Sequence, residues 1–385
     1  MSSDKRLARP AALPGLLLAA LLTGCTANQI LPTAAASAAN QTNPTSGTPT
    51  TPTTPVVVPP APVYHSYGDS ITAGATLSSP SLAYPSLIAQ AKGFTLANYA
   101  VDGAQACDVP TTQIFPNSDN PSAASLPIYT LMIGTNDQDN RGVGDYLPVF
   151  NLCHQATIAW LALPADFKVL ATAAGVTTTG TGAIETANNW NDWVSTAPGA
   201  SIAFPITLLS PGAIYIWPRI ADGDPGAFTY AVDGAIAGTF TTATKPFMTT
   251  ASGTNNSLGF LRIPGIAAGR HAVTLTQTSS SGTMRVVAVG SPQAASETLT
   301  TVIVSDPPIE ELNSTAQCNS APAVCSAYVT DIQTTVQIFA SDGLNVRFID
   351  THLYMLGTPA EMNDTLHPNP LGQSELATAL ETVLP

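Results

Sequence analysis

Apolar positions along the chain follow three successive regimes. From Ala11 to Leu22 they are nearly continuous, broken by Pro14. From Thr26 to about Pro62 the chain is Thr, Ala, Ser, Asn and Pro, with almost nothing apolar to bury before Val56-Val57-Val58. Beyond that, short apolar runs alternate with stretches of helical spacing. Val63–Tyr67 predicts a strand, and a turn then leads to a helix through Leu82, Leu87 and Ile88. Further runs end at Asn98-Tyr99-Ala100-Val101 and Leu131-Met132-Ile133. The pattern resumes with Thr301–Val304, a helix striped by Val329, Ile332, Val336 and Phe339, and the run Val346–Ile349. A last helix after Pro370 carries Leu376, Leu380 and Val383. Repeated βα units predict an α/β fold with a mostly parallel sheet and helices on both faces.

Between about Thr172 and Pro292 the periodicity shortens. Segments such as AIYIWPRI, AFTYAV, HAVTLTQT and MRVVAVG are punctuated by Asp222-Gly223, Asp233-Gly234, Ala268-Gly269 and Ser281-Gly282. This predicts an all-β insert, a small sandwich or jelly roll, at 172–292, dividing the α/β domain into 63–171 and 293–385.

The N-terminal regimes concern export. Lys5, Arg6 and Arg9 precede an apolar stretch shorter than the roughly 20 residues a membrane-spanning helix needs, as in a secretion signal. Its end, Leu22-Thr23-Gly24-Cys25, resembles the lipobox of bacterial lipoproteins. That resemblance implies a signal peptide at 1–24, lipidation of Cys25, and a protein anchored to the cell envelope through its N-terminal lipid alone. Residues 25–62 then read as a semi-extended tether, too poor in apolar residues to offset chain-ordering entropy. Leaving Cys25 aside, Cys107, Cys153, Cys318 and Cys325 are an even set in an exported chain, which predicts disulfides. Three pairings are possible. Cys107–Cys153 with Cys318–Cys325 is preferred, because the latter two are close enough to staple one loop. A metal site is disfavoured, since there is no CxxC and Cys153-His154 lacks a second ligand pair.

A length of 385 residues suits two folding units. Twelve Lys plus Arg against 25 Asp plus Glu leave a net charge of −13, which repels nucleic acid and anionic lipid.

Candidate chemistry lies at the strand ends, where open α/β sheets place their sites. Gly68-Asp69-Ser70-Ile71-Thr72 follows the first strand and presents the Ser70 hydroxyl at a helix start. Gly103 follows the second strand, and Asn136 follows the third in Gly134-Thr135-Asn136-Asp137. In Asp364-Thr365-Leu366-His367 a carboxylate precedes an imidazole by three residues. At that spacing Asp accepts a hydrogen bond from one ring nitrogen while the other faces a nucleophile. Each segment alone is ordinary turn or cap chemistry.

Taken in order, Ser70, Gly103, Asn136 and His367 resemble the four blocks of the SGNH (GDSL-type) hydrolase family, with GDSIT where the usual first block has Leu after Ser. The resemblance implies a flavodoxin-like three-layer domain whose mechanism needs no cofactor, and the sequence carries no metal motif, P-loop or dinucleotide fingerprint in the required context. It also implies that Ser70 is the nucleophile, His367 the base and Asp364 its orienting carboxylate. The oxyanion hole would comprise the Ser70 and Gly103 backbone N–H groups and the Asn136 amide. The expected activity is a serine esterase removing short acyl groups, most simply acetyl, from a small ester or an acylated glycan. Lipase-like, arylesterase and O-acyltransferase activities are the alternatives within the enzyme class, and an inactive surface glycan-binding protein is the alternative outside it. Asp69 and Asp137 read as caps or loop anchors, and His65, His154, His271 and His352 as structural or surface residues. Trp190, Trp193 and Trp217, in or beside the insert, would stack on sugar rings if exposed and fill a sandwich core if buried.

Overall fold

The computed structural model describes residues 61–121, 126–141, 146–186, 191–221, 224, 226–241, 256–296, 298–308 and 322–385. The expected signal peptide, Cys25, almost all of the tether, the Asp222-Gly223 turn, Trp190 and Cys318 lie outside the described residues. The described residues form one compact unit.

Five parallel strands make the first sheet: β1 (Val63–Gly68), β2 (Thr95–Asn98), β3 (Ile128–Met132), β16 (Thr301–Ser305) and β17 (Val346–Ile349). They lie side by side as β2-β1-β3-β16-β17. All four neighbouring pairs are parallel, with Tyr67 beside Leu131 and Leu131 beside Val304 at the centre. β3 is buried at every position, as expected of a strand covered on both faces. Helices α1 (Ser70–Ala73), α2 (Tyr84–Lys92), α3 (Thr135–Arg141), α4 (Tyr146–Ala162), α5 (Pro322–Ser341) and α6 (Pro370–Glu381) complete this part. Tyr64, Ile128 and Ile303 face a core shared with Ile88 of α2 and Leu376 and Leu380 of α6. Tyr67, Leu131 and Val304 face the other way, toward Phe150 of α4 and Ile332 and Phe339 of α5. The sheet therefore has helices on both faces.

Two details depart from the periodicity. On α5, Tyr328 is buried where Val329 was expected, and Val329 is only partly covered. Val383 falls beyond the end of α6 and packs at the margin of the core.

Among the described residues the intervening segment contributes twelve strands: β4 (Lys168–Leu170), β5 (Thr177–Thr179), β6 (Ala183–Glu185), β7 (Asp192–Ser195), β8 (Ser201–Leu208), β9 (Gly212–Ala221), β10 (Ala227–Val232), β11 (Ala235–Thr241), β12 (Asn256–Leu258), β13 (Leu261–Ile266), β14 (Gly269–Gln277) and β15 (Met284–Gly290). They form two antiparallel sheets, β11-β10-β14-β8-β5 and β12-β9-β15-β7-β6, with β13 and β4 added to the second. Asp233 and Gly234, both at positive φ, turn β10 into β11, as a two-residue hairpin turn requires. β4 pairs with β15 from a position upstream of Thr172, so the antiparallel structure reaches back to Lys168.

The two antiparallel sheets and the α4/α5 face of the parallel sheet share one core. The Trp217 indole on β9 donates to the Ala156 carbonyl of α4 at 3.2 Å and meets Trp160 edge-on. Tyr215 donates to Asp342, just past α5, at 2.7 Å, and Arg262 of β13 pairs with the same carboxylate.

Candidate active site

Ser70 opens α1 directly after β1. Asp69 caps this helix by accepting the Ile71 N–H, and Gly74 closes it in the left-handed conformation. The turn is sterically tight: a Cβ on Gly68 would lie 2.2 Å from Thr72 Oγ1 and 2.4 Å from the Met132 carbonyl. Gln113, from the helical turn Val109–Ile114, accepts the Gly68 N–H and donates to the Gly68 carbonyl. On the other side, Gln373 of α6 donates to the Ile71 carbonyl.

His367 arrives from the far end of the chain. The segment preceding α6 folds back on itself, with Asn363 N donating to the His367 carbonyl at 2.8 Å. Asn363 Nδ2 bonds to Thr76 Oγ1 at 3.0 Å, and Asn369 caps α6 by accepting from Leu371 and Gly372. His367 Nε2 thereby lies 3.0 Å from Ser70 Oγ, and its Nδ1 lies 2.9 Å from Asp364 Oδ2. Asp364 also accepts the Leu366 and His367 N–H groups. Partial burial pushes this carboxyl up, but the bonds from the His367 backbone and ring and from Leu366 hold it below the ordinary value. An ionised Asp364 at Nδ1 fixes the imidazole with its Nε2 lone pair toward Ser70.

The second and third strand ends meet beside this line. Gly103 has φ +74°, and a Cβ there would meet no protein atom within 4 Å. Backbone conformation, rather than a protein neighbour, is the steric reason for glycine. Asn136 Nδ2 donates to the Ala104 carbonyl at 2.9 Å, Gln105 Nε2 to the Asn136 carbonyl at 3.1 Å, and Ala106 N to Asp137 Oδ2 at 3.0 Å. These three bonds latch the Gly103 loop to the Asn136 turn. A disulfide between Cys107 and Cys153 ties the same loop to α4. Cys325 is also disulfide-bonded, while the Cys318 half of the expected second pair lies outside the described residues.

Ser70, Gly103, Asn136 and the pair Asp364 and His367 thus come from four segments to one end of the parallel sheet. Asp69 and Asp137 occupy supporting positions, each buried with its carboxyl bonded to backbone N–H, and burial raises each to about 7. The other histidines have different partners. His65 pairs with Asp119 and His271 with Asp233, and His352 bonds to the Pro307 carbonyl. His154 is buried against Phe150, where desolvation lowers its pKa to about 3. Trp193 and Trp217 are 2% and 0% exposed, so neither presents a face for sugar stacking. Gln105, Gln113, Asn363 and Gln373 escape the sequence reading. Their partners, backbone groups and the Thr76 hydroxyl, lie up to 302 residues away, which no local spacing encodes.

Residues 67–158 match the family model GDSL-like Lipase/Acylhydrolase, a stretch containing the Ser70, Gly103 and Asn136 segments. No curated protein is a significant match. Among solved structures, a two-domain esterase active on acetylated mannans, co-crystallised with mannopentaose, is 13% identical over 61% of this chain and 92% of its own, with TM-score 0.34. A family 36 carbohydrate-binding domain of a xylanase from the hindgut metagenome of Trinervitermes trinervoides is 12% identical over 32% of this chain and 92% of its own, with TM-score 0.25. A family 35 carbohydrate-binding module from Clostridium thermocellum is 16% identical over 32% and 95%, with TM-score 0.26.

Proposed function

We propose that this chain, a GDSL-type ester hydrolase with an added antiparallel β part, removes short acyl groups, chiefly acetyl, from the hydroxyls of a carbohydrate. The observation that carries the hydrolytic reading is the line Ser70 Oγ, His367 Nε2, His367 Nδ1, Asp364 Oδ2, with links of 3.0 and 2.9 Å.

In this reading Ser70 Oγ attacks the ester carbonyl as its proton passes to His367 Nε2, and Asp364 stabilises the imidazolium. The carbonyl oxygen, now negative, is received by the Ser70 and Gly103 N–H groups and the Asn136 amide. Collapse expels the alkoxide, which takes the proton from His367 and leaves an acyl-Ser70. Water then repeats the sequence, giving its proton to His367 and its oxygen to the acyl carbon, and Ser70 departs reprotonated. Every proton is accounted for by one imidazole, and no atom changes oxidation state.

The carbohydrate reading draws on the openness of the site. The Asp364 side chain is 45% exposed and that of His367 20%. An acyl group on a bulky polymer reaches such a rim, whereas a long acyl chain gains little from it. Envelope anchoring through Cys25 belongs to the same proposal and would hold the enzyme near exported polymers.

The test is p-nitrophenol release from acetate and octanoate esters by the full chain, followed by acetate release from acetylated polysaccharides. Acetate turnover is expected to exceed octanoate turnover, and Ser70→Ala and His367→Ala should each lower it by about 10⁴-fold or more. Unchanged turnover in a folded Ser70→Ala protein overturns the mechanism. Octanoate preference with no acetate release from any polymer overturns the substrate class.

A further inference from the structure

At the ends of β16 and β17, on the side of the sheet that carries Ser70, three side chains outside the triad converge. Asp306 follows β16, Asp350 follows β17, and His352 sits two residues on, in the short helical turn Thr351–Leu353. One ligand-capable atom from each lies within 4.8 Å of the other two.

The hydrogen bonds around them leave an electrostatic imbalance. Asp306 is fully buried, and its Oδ1 accepts from both the backbone N–H and the hydroxyl of Thr351, at 2.8 Å each. Its Oδ2 has no hydrogen-bond partner and points at His352 Nδ1, 3.5 Å away. His352 Nε2 lies 2.8 Å from the Pro307 carbonyl, which can only accept, so Nε2 carries the proton. In the neutral ring this turns a lone pair at Nδ1 toward the buried carboxylate oxygen. Asp350 Oδ1 accepts the His352 N–H at 3.0 Å, which fixes a second carboxylate to the same turn. Two carboxylates and an imidazole lone pair therefore face one another, and among the described residues no Lys or Arg pairs with either Asp.

We propose that Asp306 Oδ2, Asp350 and His352 Nδ1 form a binding site for a divalent transition-metal ion such as Zn²⁺. The imidazole favours such an ion over Ca²⁺ or Mg²⁺, which take oxygen ligands. Tetrahedral ligands at about 2.0–2.1 Å from zinc stand roughly 3.3 Å apart, close to the 3.5 Å between Asp306 Oδ2 and His352 Nδ1. A ligating histidine that donates its second ring N–H to a backbone carbonyl is the usual supporting arrangement. His352 keeps 27% of its side-chain surface exposed, which leaves an approach from solvent. A bound ion would pin β16 to β17 and to the start of the segment that runs on to Asp364 and His367.

The experiment is calorimetric titration of chelator-treated full-length protein with Zn²⁺, with Ca²⁺ and Mg²⁺ as comparisons. His367→Ala serves as the background, so that Zn²⁺ on the triad imidazole does not contribute. The expected result is one-to-one Zn²⁺ binding that weakens at least tenfold in Asp306→Asn and in His352→Gln, with little response to Ca²⁺ or Mg²⁺. Asp306→Asn keeps the acceptor for Thr351 and offers an amide N–H to Nδ1, so it should fold without metal. The melting temperature of the unsubstituted protein should rise with Zn²⁺ and that of Asp306→Asn should not. Absence of one-to-one binding in the His367→Ala background overturns the proposal. So does binding that survives both Asp306→Asn and His352→Gln.

Discussion

In the proposed mechanism Gly103 ties the chemistry to a single backbone conformation. At φ +74° an L side chain costs about 1–2 kcal/mol, and relief of that strain would rotate the N–H that the proposal assigns to the oxyanion. Gly103→Ala is expected to lower kcat by about 10-fold to 10³-fold with a smaller change in KM, read from steady-state kinetics on p-nitrophenyl acetate. Asp137 makes a different prediction. Burial raises its carboxyl to about 7, far above the roughly 3.9 of an unfolded chain, so between these values the folded state holds a proton that the unfolded state has lost. Its contribution to stability is therefore highest near pH 4, falls as pH rises toward 7, and is level above that. Asp137→Asn keeps an acceptor for Ala106 N without the ionisation. Urea unfolding should show it more stable than the parent at pH 8, by on the order of a few kcal/mol, and nearly equal below about pH 4. A constant difference across that range would remove Asp137 ionisation as the cause. Ser70, Asn136, Asp364 and His367 were legible because residue type, order and the Asp-to-His offset are local facts. Asp137 was legible only as a loop anchor, since nothing local reveals that its carboxyl is buried.

The segment 103–108 is a loop made rigid by what it touches. Gln105 and Ala106 bond across to Asn136 and Asp137, and Cys107 is covalently held to Cys153 on α4 across a separation of 46 residues. Constraining a loop of that length in the unfolded chain contributes roughly 4 kcal/mol in the chain-entropy model. A Cys107→Ser/Cys153→Ser variant should therefore melt several degrees lower. Because the same bond restrains the strand end bearing Gly103, kcat should fall even at temperatures where the variant is fully folded. Unchanged kcat in the folded variant would leave the disulfide a purely global role. The four other strands of the parallel sheet were legible because each is a short apolar run between turns, whereas β2 is the edge strand Thr95–Asn98 with exposed polar ends, and the apolar Tyr99-Ala100-Val101 expected in it follow its end. α4 was not, because Phe150, Cys153, Ala156, Ile158, Trp160 and Leu161 bury it on nearly every side, which erases the period of an amphipathic helix. The helical turn at Val109–Ile114 was equally hidden. Its role is carried by Gln113 bonding to Gly68, a contact set by the tertiary fold.

At the scale of the whole molecule, the boundary between the α/β and antiparallel parts is a change of periodicity but not a break in packing. Sequence distinguishes period two from helical spacing and so separates the two kinds of structure. It does not show that Trp217, read as either a stacking or a core residue, enters the interface with α4. There it is fully buried, bonded to Ala156 and edge-on to Trp160, while Tyr215 reaches Asp342 beyond α5. A shared core couples the unfolding of the parts, because exposing one strips apolar cover from the other. Calorimetry on the full chain should therefore give one cooperative transition for the described residues. Trp217→Ala, which opens a cavity at the junction, should shift that whole transition down by about 3–5 kcal/mol of stability. Esterase activity and near-ultraviolet circular dichroism should then disappear together on heating. If the antiparallel part instead melted separately, leaving Ser70 turnover intact, the junction would be a docking surface between independent domains. The β part would then be free to act as a separate binding module, and removing it would leave acetate turnover unchanged. With one transition, its removal leaves α4 and α5 exposed, and the Cys107–Cys153 link no longer has a packed helix to hold the Gly103 loop against.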